Sequence, residues 1–252
     1  MKVSEAVVLM AGIGSRLALR TTGTLKPLTR VLDRPLISYV FDALKAAGIE
    51  TVHAVVGYER ETLIAQLTPI IPAGLNVRFV DNPDWRKQNG LSVLAARGHV
   101  RSPFLLTMSD HLFDDQLLGT LVREADPALL NLAIDRKIEA IVDIDDAMKV
   151  QTSSARVTAI GKDLKQYDAI DTGLFVANED LFDHLEAAKH GEDCSLADGV
   201  RRMAAAGKVR AIDIGNSWWQ DVDTPVTLQA ASNHLRSRTR SSTLATAGAR
   251  TE

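Results

Sequence analysis

Two glycines, a serine and an arginine follow an apolar run near the start of the chain, in Val7-Val8-Leu9-Met10-Ala11-Gly12-Ile13-Gly14-Ser15-Arg16, and Lys26 lies ten residues further on. A buried strand that stops at a bare-backbone turn with cations behind it can hold a polyphosphate. Glycine lets backbone N–H groups approach phosphate oxygens, and the arginine and lysine supply charge. Ala11, Gly12, Gly14 and Ser15 are therefore candidate nucleotide-binding positions, with Arg16 and Lys26 as the chemically active cations. Glycines alone would be weak evidence, because any tight strand-to-helix turn needs them. The two cations at this spacing strengthen it.

Three aspartates could hold a metal. Asp110 ends an apolar run, where an aspartate is either a turn-former or a ligand. Asp221 and Asp223 lie in a late extended segment and are expected on opposite faces, one a ligand and the other a structural partner. Asp223 is slightly preferred for its Asp-Thr-Pro turn. His111 could contact a substrate or simply pack, and Trp218 and Trp219 are expected to pack the late segment. The lone cysteine, Cys194, has no activating base beside it and reads as a bystander.

These groups need a frame. Pro35–Gly48 and Glu59–Leu67 read as helices, between strands at Val7–Met10, Thr51–Gly57 and Val77–Val80. That alternation is the pattern of a parallel sheet with crossover helices, in which ligands bind beyond the carboxyl ends of the strands. A short helix is expected over Ser92–His99, a strand over Pro103–Met108, a helix over Asp114–Glu124 and a strand over Ala128–Ile134. Residues 140–160 alternate in short runs that read as antiparallel. Ile170–Val176 and Lys208–Ile214 read as strands, and Asp180–Ala188, Ser195–Ala206 and Pro225–Leu235 as helices. The expectation is one α/β domain over residues 1–235, with a Rossmann-like mixed, mainly parallel sheet flanked by helices. Residues 1–135 form its nucleotide half and 136–235 its acceptor half. The Ser-, Thr- and Arg-rich stretch 236–252 is expected to be a mobile tail.

The composition narrows the class. The chain has 252 residues, 46% hydrophobic, with a formal charge of −3. That argues against nucleic-acid binding and makes a local Arg/Lys cluster more telling. A single cysteine excludes an internal disulfide framework. No apolar run is long enough to span a bilayer, and strand-like sequence begins too early for a signal peptide. A cytoplasmic location is expected.

Together the motifs resemble the nucleoside-triphosphate transferase family of the sugar-1-phosphate nucleotidylyltransferase type. Ala11-Gly12-Ile13-Gly14-Ser15-Arg16, Lys26-Pro27-Leu28, Arg34-Pro35-Leu36-Ile37, Ser109-Asp110-His111, Asp171-Thr172-Gly173 and Asp221-Val222-Asp223-Thr224-Pro225 carry the likeness. A narrower likeness is to the module of CTP:inositol-1-phosphate cytidylyltransferases. It rests on Asn82-Pro83-Asp84-Trp85, Asn89-Gly90-Leu91-Ser92, Ile160-Gly161-Lys162-Asp163-Leu164 and Trp218-Trp219-Gln220-Asp221, and the expectation is a stand-alone transferase without the fused membrane synthase that some members carry. Met10 and Leu32-Asp33 depart from the family's usual pattern.

The resemblance implies a nucleotide-diphospho-sugar transferase fold, GT-A-like, with CTP and a small phosphorylated acceptor as substrates and Mg²⁺ as cofactor. Mg²⁺ is then held by Asp110 and one of Asp221 and Asp223. Backbone N–H groups of Gly12 to Ser15 hold the β- and γ-phosphates, Arg16 neutralises the leaving pyrophosphate and Lys26 sits on the α-phosphate. Asn89, Gly90 and Ser92 border the base, although Ser92 could equally be a helix cap. Lys162, Lys165, Asp171, Thr172 and Gly173 form the acceptor side, although by composition the two lysines are ordinary surface residues. A phosphate monoester is largely dianionic at neutral pH, its second pKa being about 6, so it can attack without a general base. The product expected is CDP-inositol. Other acceptors (phosphocholine, a phosphonate, a sugar 1-phosphate) and a nucleotide-sensing subunit are the alternatives.

Overall fold

The computed structural model describes residues 2–14, 17, 24–114 and 116–248, with side chains described to residue 238. Its centre is one nine-stranded sheet. In chain order the strands are β1 (Glu5–Leu9), the two-residue hairpin strands β2 (Arg30–Val31) and β3 (Arg34–Pro35), β4 (Thr51–Val56), β5 (Asn76–Asp81), β6 (Phe104–Met108), β7 (His111–Phe113), β8 (Leu130–Asp135), β9 (Lys149–Ser153), β10 (Arg156–Gly161), β11 (Ala169–Ala177), β12 (Val209–Asp213) and β13 (Trp219–Asp221). The main sheet runs β5-β4-β1-β6-β11-β8-β12-β10-β9. Strands β5, β4, β1 and β6 are parallel, and so are β8 and β12, while β11 and β10 run against their neighbours. The sheet is thus mixed and mainly parallel.

All five residues of β1 and all six of β8 are buried. Such unbroken burial follows from helices covering both faces. Successive side chains serve opposite faces: Val7 and Leu9 join a core with Phe104, Phe175 and Phe182, while Ala6 and Val8 join one with Phe41, Leu44 and Leu118. The helices are α1 (Leu36–Ala46), α2 (Arg60–Leu67), α3 (Asn89–Ala95), α4 (Leu117–Glu124), α5 (Asp180–Glu186), α6 (Leu196–Ala205) and α7 (Pro225–Gly248). Among the described residues no helix is long and apolar enough to cross a membrane.

Three elements differ from the sequence reading. Helix α3 starts at Asn89 rather than Ser92, because its first turn is held from far away: Gln88 N–H donates to Asp193 Oδ1 (2.9 Å) and Gly90 N–H to the Cys194 carbonyl (3.1 Å). Helix α4 starts at Leu117 rather than Asp114, because Asp114 is still held to the segment entering β13: its N–H donates to the Trp218 carbonyl (3.0 Å) and its Oδ2 accepts from Trp218 N–H (2.7 Å). Helix α7 continues past Leu235 to Gly248, through much of the stretch read as a tail.

Candidate active site

The carboxyl ends of β1, β6 and β13 and the amino-terminal part of the antiparallel β11 meet on one side of the sheet. Their side chains border a cavity of about 890 Å³, lined by Lys26, Asp110, His111, Asp171, Gly173, Asp221 and Asp223. That volume lies within the range of sites for small ligands.

Lys26 opens a single 3-10 turn, Lys26–Leu28. Its ammonium hydrogen-bonds both Asp110 and Asp223, and the three side chains are 11%, 16% and 15% exposed. Asp110 also bonds His111 Nδ1 through its other oxygen, at 2.6 Å. The late segment is fixed against the strand end. Val222 N–H donates to the Asp110 carbonyl (2.9 Å), Asp221 pairs with His111 across β13 and β7, and Asp223 N–H donates to Thr227 Oγ1 (3.0 Å). Thr224 and Thr227 exchange side-chain contacts at the start of α7, which holds the turn carrying Asp223.

Asp221 and Asp223 both line the cavity, which corrects the expectation of opposite faces. The physical reason is simple: residues two apart on an extended strand share a face. Of the two it is Asp223 that shares a cation with Asp110.

The charges are strongly coupled. Burial by itself would raise the Asp110 carboxyl. The Lys26 ammonium and the His111 ring outweigh it and hold Asp110 well below the usual carboxylate range. Burial opposes charge on Lys26 and on His111, yet the neighbouring carboxylates win and raise both pKa values. Asp221 is raised by burial, opposed by His111, with Asp223 and Asp110 adding repulsion. Asp171 is pushed up to about 6 by burial, against a backbone hydrogen bond from Gly173 and the nearby His111.

Two glycines have steric roles. Gly14, at φ +66°, lies against Lys26: a Cβ there would fall 2.6 Å from the lysine's own Cβ. The turn and the lysine therefore pack as one unit. Gly173, at φ +71°, lies under His111, where a Cβ would fall 2.5 Å from Nε2. By contrast a Cβ on exposed Gly12 would meet nothing within 4 Å among the described residues. Ser15 and Arg16 lie outside the described residues.

The other candidates divide between the cavity wall and the core. Ala11 is in the core, and its carbonyl accepts from Tyr58 N–H. Asn89 lines the cavity, but its Oδ1 accepts from Leu196 N–H (2.9 Å), tying α3 to α6. Gly90 does not leave room for a ring: a Cβ there would fall 2.5 Å from the Cys194 carbonyl. Ser92 is neither a cap nor on the cavity wall; it is buried within α3 and accepts from Asn82 Nδ2. Thr172 points to the other face of β11, fully buried, its hydroxyl donating to the Ala133 carbonyl (2.9 Å). Lys165 is exposed and off the cavity, whereas Lys162 lines it, bonded to Asp146.

Sequence reasoning passed over Asp135, the last residue of β8, and Lys137 just after it, both on the cavity wall. Buried Asp135 accepts from Trp219 Nε1 (2.9 Å) and from Lys137 Nζ (2.7 Å). Two charged residues just after an apolar run was the signal available. Trp219 in turn stacks on His111, with centroids 6.1 Å apart, and Trp218 stacks on His234 at 3.9 Å. Both indoles also border the cavity.

Comparison with known proteins shows the chain's family and fold. The family model described as a MobA-like NTP transferase domain matches residues 6–193. A protein of Rubrobacter xylanophilus named bifunctional IPC transferase and DIPP synthase is 36% identical over 89% of this chain and 50% of its own. Its namesake in Archaeoglobus fulgidus is 32% identical over 93% of this chain and 44% of its own. The chain thus spans about half the length of these curated relatives. Among solved structures, the inositol-1-phosphate CTP transferase from T. maritima superposes with a TM-score of 0.79 at 27% identity, covering 91% of this chain and 96% of that one.

Proposed function

The chain belongs to the MobA-like NTP transferase family, and from that premise we propose that it moves CMP from CTP to inositol 1-phosphate, giving CDP-inositol and pyrophosphate. The observation that carries the reading is Lys26 held between Asp110 and Asp223 in a cavity at the strand ends. The choice of CTP and inositol 1-phosphate follows the names of its relatives and of its structural neighbour.

Mg²⁺ is the proposed cofactor. Asp110 and Asp223 converge on one cation, the Lys26 ammonium, so their oxygens form a seat of the right charge and hardness. Among the described residues no third His, Cys, Asp or Glu completes a protein-only site. That suits an ion held by one or two carboxylates and completed by phosphate oxygens. Bound there, it supplies positive charge to the phosphate oxygens of the nucleotide.

In the proposed reaction an acceptor phosphate oxygen attacks the α-phosphorus. The bond to the β-phosphoryl oxygen breaks, and pyrophosphate departs with the electron pair. The dianionic acceptor needs no base. The chain's task is to align two polyanions and to stabilise charge as it moves to the leaving group. Lys26 is the described cation able to follow that charge. In this reading the turn at Gly12 and Gly14 offers its backbone N–H groups to the nucleotide phosphates.

A pyrophosphate-release assay crossing four nucleoside triphosphates with inositol 1-phosphate, phosphocholine, a phosphonate and glucose 1-phosphate tests this. CTP with inositol 1-phosphate should give the highest kcat/KM. Turnover only with another pair would refute the assignment, and no turnover with any pair would favour a nucleotide-sensing role.

A further inference from the structure

Resting on the metal seat proposed above, we infer that Asp135 is a positioning residue for Asp110: acting through Trp219 and His111, it fixes which Asp110 oxygen faces Lys26 and Asp223.

Asp135 is a buried carboxylate that the proposed reaction does not use. It ends β8 and is 3% exposed. Burying a carboxylate is costly unless its lone pairs are met. Here both oxygens are engaged. Oδ1 accepts from the backbone N–H (2.8 Å) and the Nζ (2.7 Å) of Lys137, and Oδ2 accepts from Trp219 Nε1 (2.9 Å). Lys137 Nζ also donates to the carbonyl of Gly215 (2.6 Å), between β12 and β13, which ties the end of β8 to the approach to β13. Asp135 therefore borders the cavity as an anchor whose hydrogen bonds go to the protein.

What it anchors is the ring of Trp219. An indole has one N–H donor, so the bond to Asp135 sets the rotation of the ring. Trp219 stands opposite Phe113 in the β13–β7 ladder, and His111 is its diagonal neighbour on the same face. The Trp219 and His111 rings lie nearly parallel, with centroids 6.1 Å apart and 15° between their planes. Gly173 closes another side of His111, where a Cβ would fall 2.5 Å from Nε2. The imidazole is thus confined to the orientation in which Nδ1 meets Asp110 Oδ1 at 2.6 Å. With that oxygen engaged, Asp110 Oδ2 is the one that bonds Lys26, beside Asp223. Partners behind a carboxylate orient it toward a cation in this way.

Mn²⁺ binding to the full chain with CTP and no acceptor, followed by electron paramagnetic resonance, reads the seat without turnover. Trp219→Phe keeps a ring against His111 but removes the N–H. Asp135→Leu removes the acceptor at similar volume. Each should raise the Mn²⁺ Kd at least about fivefold, while the Kd for CTP measured in EDTA stays within about twofold. His111→Phe cuts the same chain of contacts at the next residue, so adding Trp219→Phe to it should raise the Mn²⁺ Kd little further. Unchanged Mn²⁺ affinity in Trp219→Phe overturns the inference. So does an equal loss of CTP affinity in EDTA, or full additivity with His111→Phe. Should Asp135→Leu fail to fold, Trp219→Phe alone decides by the same criteria. Tight Mn²⁺ binding in the wild type with unchanged variants refutes only the positioning role and leaves the metal seat standing. A wild type that adds nothing to the Mn²⁺ binding of free CTP refutes the seat, and the inference with it.

Discussion

The ammonium of Lys26 hydrogen-bonds the carboxylate of Asp223, 197 positions later in the chain. The same nitrogen also bonds Asp110. The loop at one end of the sequence and the turn at the other thus meet through a single buried charge. Removing one member of such a group leaves its partners uncompensated.

Asp110→Ala should therefore abolish turnover while nearly preserving the fold, because His111 and Lys26 retain Asp221 and Asp223 as neighbours. Lys26→Met should cost more stability, since it leaves Asp110 and Asp223 facing each other without their shared cation; a loss of about 3 kcal/mol is expected. Pyrophosphate release and urea denaturation, measured on both variants, check the pair. Wild-type turnover in Asp110→Ala would remove the carboxylate from the reacting centre.

Gly14 and Gly12 should behave differently. Gly14→Ala places a Cβ 2.6 Å from that of Lys26 at φ +66°. The backbone alone costs about 1–2 kcal/mol, so Tm should fall by several degrees and kcat should drop with it. Gly12→Ala meets no atom of the described residues, so Tm should hardly move. If phosphates occupy the space beside it, the KM for CTP should rise. Calorimetry with steady-state kinetics separates the two effects.

Asp171 should lower stability at neutral pH. Its pKa is about 6 in the fold against an ordinary 3.8, chiefly through burial. Between those values the native state binds a proton that the unfolded chain does not, so stability falls as pH rises from about 4 to about 6. Asn cannot titrate. Asp171→Asn should match the wild type near pH 4 and exceed it by about 2 kcal/mol above pH 7, as read by chemical denaturation across pH. A constant difference at all pH values would contradict the buried-charge account.

The frame was readable because strands buried on both faces, such as Val7–Leu9 and Thr51–Val56, announce themselves as unbroken apolar runs. Asp110 was readable for a related reason, as a charged residue just past such a run, and Lys26 from its spacing after the glycine-rich turn. What escaped was set by distant partners. The start of α3 depends on Asp193 and Cys194, which no local pattern around Asn89 reveals. The same contacts give Asn89 and Gly90 structural duties that looked like base recognition. Thr172 shares a motif with Asp171 and Gly173, yet strand alternation turns its side chain into the core. Asp135 looked like an ordinary strand end because its partner, Trp219, lies 84 residues away.

The most direct test of the central claim is a crystal structure with CTP and Mn²⁺ in place of Mg²⁺, read by anomalous scattering. The account predicts a manganese peak between Asp110 and Asp223, with the Lys26 ammonium moved from the two carboxylates onto the α-phosphate. A peak elsewhere, or Lys26 still bonded to both carboxylates beside a bound nucleotide, would contradict it.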